Sequence, residues 1–145
     1  MNIFSRLQDN DLLKYLDEQE YRLVAAIAKE VRYKKNTVFH LATESNLYVI
    51  KQGKVAFFMY NHENLPVFFD NVGANETIWE SAFFIQKSEN IHFHSMEDTQ
   101  LLVYNKKDLE NIYAKEPIIH LKTQAALNDS LCEKHIRLTQ KLLGT

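Results

Sequence analysis

Cysteine is nearly missing from this chain: Cys132 is the single one among 145 residues. One thiol allows neither an intramolecular disulfide nor a cysteine cage for zinc or iron–sulfur, which points to a reducing compartment, the cytoplasm. Glycine and proline are scarce as well, with three and two copies, and no Gly-, Ser- or Pro-rich stretch marks a linker. No self-similarity at the period of a solenoid or propeller is present. Neither sign of charge dominates, with 17 Lys plus Arg against 19 Asp plus Glu. The pairs Lys34-Lys35 and Lys106-Lys107 are too small to form an electrostatic footprint for nucleic acid. Long apolar runs are lacking too. The longest, such as Leu23 to Ala28, fall far short of the ~20 residues that a membrane span needs, and the N-terminus lacks the successive zones of an export signal. No Ser–His–Asp set, Gly-rich phosphate loop or CxxC pair occurs, so the residues make no case for an enzyme.

What is present is core-forming material. Hydrophobic residues make up 46% of the chain, with nine Phe and seven Tyr. At this length one domain buries ~70% of the surface its unfolded chain exposes without staples. The hydrophobic period changes twice along the sequence. The N-terminal part reads as helix: Asp17-Glu18-Gln19-Glu20 forms an acidic cap with a carboxylate three residues on, followed by Leu23, Ala26 and Ile27 at helical spacing, after a turn around Leu12, Leu13 and Leu16. From Val31 to Tyr104 the runs are short and β-like: Thr37–Leu41, Leu47–Ile50, Val55–Tyr60, Pro66–Phe69, Glu80–Ile85, Ile91–Met96 and Gln100–Tyr104. Gln52-Gly53-Lys54 and Asn61 to Asn64 supply turn residues between them. Such closely spaced strands predict an antiparallel jelly-roll or β-roll, mainly β with flanking helices. Helical spacing returns at Lys106–Tyr113, and Pro117 opens a long final helix ending near Leu142. The expected division is a roll with N-terminal helices over 1–116 and a helix over 117–145.

Three landmarks in this order resemble the cyclic-nucleotide-binding-domain superfamily. They are the hairpin Leu47-Tyr48-Val49-Ile50-Lys51-Gln52-Gly53-Lys54-Val55, the strand Ser95 to Tyr104 with its Glu97-Asp98-Thr99, and the segment from Asp108-Leu109 to Pro117. The set looks most like the sensor domains of the catabolite-activator and fumarate–nitrate-regulator family of bacterial transcription regulators. That resemblance implies a β-roll, a homodimer formed along the last helix, and an effector pocket within the roll.

The chain departs from the family where a cyclic nucleotide would bind. The phosphate-binding cassette of binders has a glycine where Ile78-Trp79-Glu80-Ser81-Ala82-Phe83-Phe84 carries Trp79. Backbone amides reach a phosphate only where no side chain intervenes. Counting back from Glu97-Asp98-Thr99, the phosphate-pairing arginine falls at Glu89 or Asn90. A carboxylate there repels the anion that a guanidinium would clasp. The resemblance gives Glu80 the place of the ribose-binding glutamate, but without its partners it reads as a structural carboxylate. Trp79, Glu80, Ser81, Glu89 and Asn90 thus form a degenerate pocket, with no cofactor expected and the effector unidentified.

Leu127, Leu131, Leu138 and Leu142 follow one another at spacings near a heptad, interrupted by Lys134 and His135. They fit a dimer seam or, alternatively, a helix laid on its own roll. In the resembled family a helix-turn-helix module follows this helix. The sequence ends at about that place, so contact with DNA is expected only through a module absent from these residues. The favoured reading is the sensor and dimerisation domain of a transcription regulator. The alternative is a stand-alone ligand- or protein-binding roll. A remoter one is a cupin-like metal enzyme using His92, His94 and Asp98; against it, His92 and His94 read as outward residues of a strand whose Phe93 points inward. Cys132, though near Lys134 and His135, reads as an inert thiol.

Overall fold

The computed structural model describes residues 10–78 and 91–144. Among these residues eight strands form two four-stranded antiparallel sheets: β1 (Lys29–Tyr33), β2 (Val38–Phe39), β3 (Asn46–Gln52), β4 (Lys54–Tyr60), β5 (Pro66–Gly73), β6 (Thr77–Ile78), β7 (His92–Ser95) and β8 (Thr99–Asn105), of which β1 and β6 match no segment read from the sequence. One sheet has the order β1-β8-β3-β6 and the other β2-β7-β4-β5. The helices are α1 (Glu18–Ala25), α2 (Lys106–Lys115) and α3 (Pro117–Leu142). The architecture is the helix-flanked β-roll read from the sequence. The predicted strand at Glu80–Ile85 lies outside the described residues.

Strand periodicity sorts the apolar side chains into two cores. Along β3, Tyr48 and Ile50 enter a cluster between the sheets with Phe39, Val55, Phe57, Val72, Ile78, Phe93 and Leu101. Their neighbours Leu47 and Val49 point the other way, into a second cluster with Leu12, Leu13, Leu16, Val24, Leu109, Ile119 and Leu127. Opposite orientation of successive side chains therefore buries β3 on both faces, and the helices cover one of them. Each fully buried Leu or Ile contributes roughly 1.5–3 kcal/mol of transfer free energy.

The caps behave as read. Asp17 accepts from the Glu20 amide at 2.8 Å and Glu20 accepts from the Asp17 amide at 3.0 Å, a reciprocal capping box. Glu20 also receives Lys122 of α3 at 2.6 Å, which ties the first helix to the last. The buried face of α1 differs from expectation. Val24 is fully buried while Leu23 is 45% exposed, because the rotation of α1 about its axis turns Val24, not Leu23, toward the core. Gly53 makes the β3–β4 turn at φ +108, where a Cβ would sit 2.5 Å from the Thr99 hydroxyl. Asn61 builds the β4–β5 turn by accepting from the amides of Glu63 and Leu65.

Candidate functional site at the clasp between the long helix and the roll

Beyond Leu127 the inward face of α3 turns polar where a packed helix would ordinarily be apolar. Ser130, Lys134, Arg137 and Lys141 recur at spacings of four, three and four, so they line one stripe. Lys134 is 1% exposed. Its Nζ donates to the Thr77 carbonyl at 2.6 Å and lies 3.1 Å from Thr77 Oγ1 and 3.0 Å from Ser130 Oγ. The two hydroxyls are themselves 2.9 Å apart. Burial pushes the Lys134 ammonium down to about 8, against the attraction of Glu76 and Asp11. Asp11, beside it, is lifted to about 6, first by burial and then by Glu133.

One and two turns further on, the clasp becomes ionic. The Arg137 guanidinium reaches Glu76 Oε1 at 2.9 Å and Asp70 Oδ2 at 3.1 Å, and Lys141 Nζ meets Asp70 Oδ1 at 3.2 Å. Asp70 is buried, so both cations compensate a carboxylate removed from water. The second oxygen of Glu76 accepts from the Gly73 amide at 2.6 Å, fixing the β5–β6 turn. These contacts hold α3 against β6, whose last residue, Ile78, immediately precedes Trp79.

The residues read from the sequence are distributed as follows. Trp79, Glu80, Ser81, Glu89 and Asn90 lie outside the described residues. Leu127 is 4% exposed within the helix-covered core, and Leu131 packs on the intersheet core. Both are therefore used inside the chain, as the alternative reading of the stripe allowed. Leu138 is half-buried and Leu142 is 88% exposed. The outward face of α3 carries Ile118, Leu121 and Ile136, 49%, 66% and 59% exposed, together with Cys132. Heptad counting finds an apolar stripe but does not say whether it faces the chain's own roll.

Phe93 points into the core and is 1% exposed, while His92 and His94 are half-buried on the outer face of their sheet. Burial and the neighbouring His40 hold the His92 imidazolium below its ordinary range. Asp98 is not brought to them. Its carboxylate accepts from the Lys35 amide at 2.9 Å, and among the described residues no three His, Cys, Asp or Glu gather to hold a metal ion. Sequence reasoning missed the clasp. Its signal is the spacing of Lys134, Arg137 and Lys141, of which the leucine-stripe reading registers only Lys134, as an interruption. No helix among the described residues is long and apolar enough to cross a membrane.

No family model matches the chain, and no curated protein is similar to it. Solved structures are. The N-terminal domain of a transcriptional regulator from Streptomyces coelicolor superposes with a TM-score of 0.70 at 22% identity, over 88% of this chain and 92% of that one. A cyclic nucleotide-binding domain from Methylobacillus flagellatus gives 0.77 at 14% identity, over 92% and 82%. The Thermus thermophilus catabolite activator protein gives 0.67 at 20% identity, over 93% of this chain but 63% of its own length. The chain thus has the β-roll fold shared by cyclic-nucleotide-binding domains and the sensor domains of catabolite-activator-type transcription regulators, as its sequence landmarks suggested.

Proposed function

We propose that the chain is the sensor and dimerisation domain of a bacterial transcription regulator that works in the cytoplasm without a cyclic nucleotide. The observation that carries this reading is the likeness to a regulator's N-terminal domain, which this chain matches over 92% of that domain's length. The roll and N-terminal helices over 1–116 sense, and the helix over 117–145 pairs with that of a second copy. DNA is contacted by a separate helix-turn-helix module. The loss of nucleotide rests on the sequence, which has Trp79 where binders have glycine and Glu89 or Asn90 where they have arginine. The clasp supports a transmission route: a change in the segment after Ile78 pulls on Thr77, and Thr77 holds Lys134 of α3 at 2.6 Å.

Titration calorimetry with cyclic AMP and with cyclic GMP tests the negative half of the proposal. No saturable heat at millimolar ligand is expected. Tight binding of either nucleotide places the phosphate-pairing position elsewhere and overturns it.

A further inference from the structure

The outer face of the second sheet bears a row of rings that runs from His40, just after β2, across β7, β4 and β5. β7 pairs with β2 through Val38 opposite His94 and Phe39 opposite Phe93, and His40, the residue that follows β2, sets its ring beside that of His92. On its other side His92 lies opposite Phe58, which lies opposite Phe68. The ring centroids along this row are 4.7 Å apart for His40 and His92, 5.2 Å for His92 and Phe58, and 5.0 Å for Phe58 and Phe68. Tyr60 closes on His92 edge-on at 4.9 Å. The imidazole of His92 is thereby sandwiched at a fixed place, while His40 remains exposed beside it.

We infer that His40 and His92 form a two-imidazole site for a late first-row divalent cation, with Cu2+ bound most tightly and Ni2+ and Zn2+ more weakly. The two imidazole centroids lie 4.7 Å apart, close enough for one nitrogen of each ring to reach a single ion between them. Imidazole nitrogen suits copper, nickel and zinc, whereas magnesium and calcium require oxygen ligands, and none of the rings in this row supplies a carboxylate. The stack on Phe58 and the edge contact of Tyr60 do for His92 what an outer shell does for a metal ligand, fixing the ring before the ion arrives. With two protein ligands the remaining positions are taken by water, and the ion stays accessible from solvent.

The test is titration of the untagged full chain with CuCl2, NiCl2 and ZnCl2, read by calorimetry and, for copper, by paramagnetic resonance. One ion per chain is expected, with two-nitrogen coupling in the copper spectrum. His40→Ala, at an exposed position that leaves the fold untouched, should weaken binding by about tenfold or more. His92→Phe, which keeps the stack, should do the same, whereas His62→Ala and His120→Ala should leave affinity unchanged. No binding by the parent protein, affinity undiminished in His40→Ala, or loss in His62→Ala or His120→Ala instead overturns the site.

Discussion

Lys134 Nζ and the Thr77 carbonyl, 57 residues apart in sequence, meet at 2.6 Å in a place where the lysine is almost wholly removed from water. Its folded-state pKa of about 8 lies below the unfolded value of 10.5. Between those limits the unfolded chain therefore binds more protons, and the lysine's contribution to stability rises with pH. Below pH 8 the charged form is buried at a cost that does not vary. The stability difference between the parent and Lys134→Met should shift in the parent's favour from about pH 8 to 10.5, by on the order of 3 kcal/mol in total. Urea unfolding of both proteins across that window measures it. Two curves that stay parallel would show that the ammonium is better solvated than its burial implies.

The neighbouring ionic half of the clasp makes a second prediction. Asp70 is buried and compensated by Arg137 and Lys141. Removing one partner of such a pair strands the other, so Arg137→Ala should destabilise by about 2 kcal/mol or more. Asp70→Asn should cost less, and the double variant less than the sum of the two. A double-mutant cycle with a coupling near zero would sink the clasp as an energetic unit.

Much of the fold was legible because its signals are local. Strand alternation, the Asp17 and Glu20 cap and the proline at the start of α3 each act within a few residues, and each appears where expected. Orientation across the molecule was not legible. Leu127 and Ile136 have similar hydrophobicity, yet the first is buried and the second is 59% exposed, because helix rotation is decided by partners such as Asp70 and Thr77 far away in sequence. Adjacent aromatics behaved similarly. Phe57 and Phe58 face opposite ways, yet both are buried, because His92, Tyr60 and Phe68 cover Phe58 to 3% exposure.

Gly53 offers a sharper test of a sequence landmark. Its φ of +108 and the 2.7 Å approach of the Asp98 carbonyl to a Cβ built there leave no room for a side chain. Gly53→Ala therefore combines a disfavoured backbone with a clash against backbone, and should cost roughly 2–3 kcal/mol. Thermal unfolding of the variant reads the loss directly. An unchanged midpoint would mean that the β3–β4 turn has an alternative geometry.

The proposed dimer is tested on the outward face of α3. Leu121 and Ile136 are 66% and 59% exposed, and Cys132 lies between them on the exposed side. In a parallel two-fold pairing along this face each cysteine meets its mate, so mild oxidation should cross-link the chain into a species of twice the mass that thiol reductant reverses. Leu121→Glu and Ile136→Glu should convert dimer to monomer in light scattering while leaving the circular dichroism of the roll intact. Leu131→Glu should instead unfold the protein, because Leu131 packs on the intersheet core. A parent protein of monomer mass at all accessible concentrations ends the dimer proposal. A dimer unaffected by Leu121→Glu and Ile136→Glu moves the seam to another face of the helix.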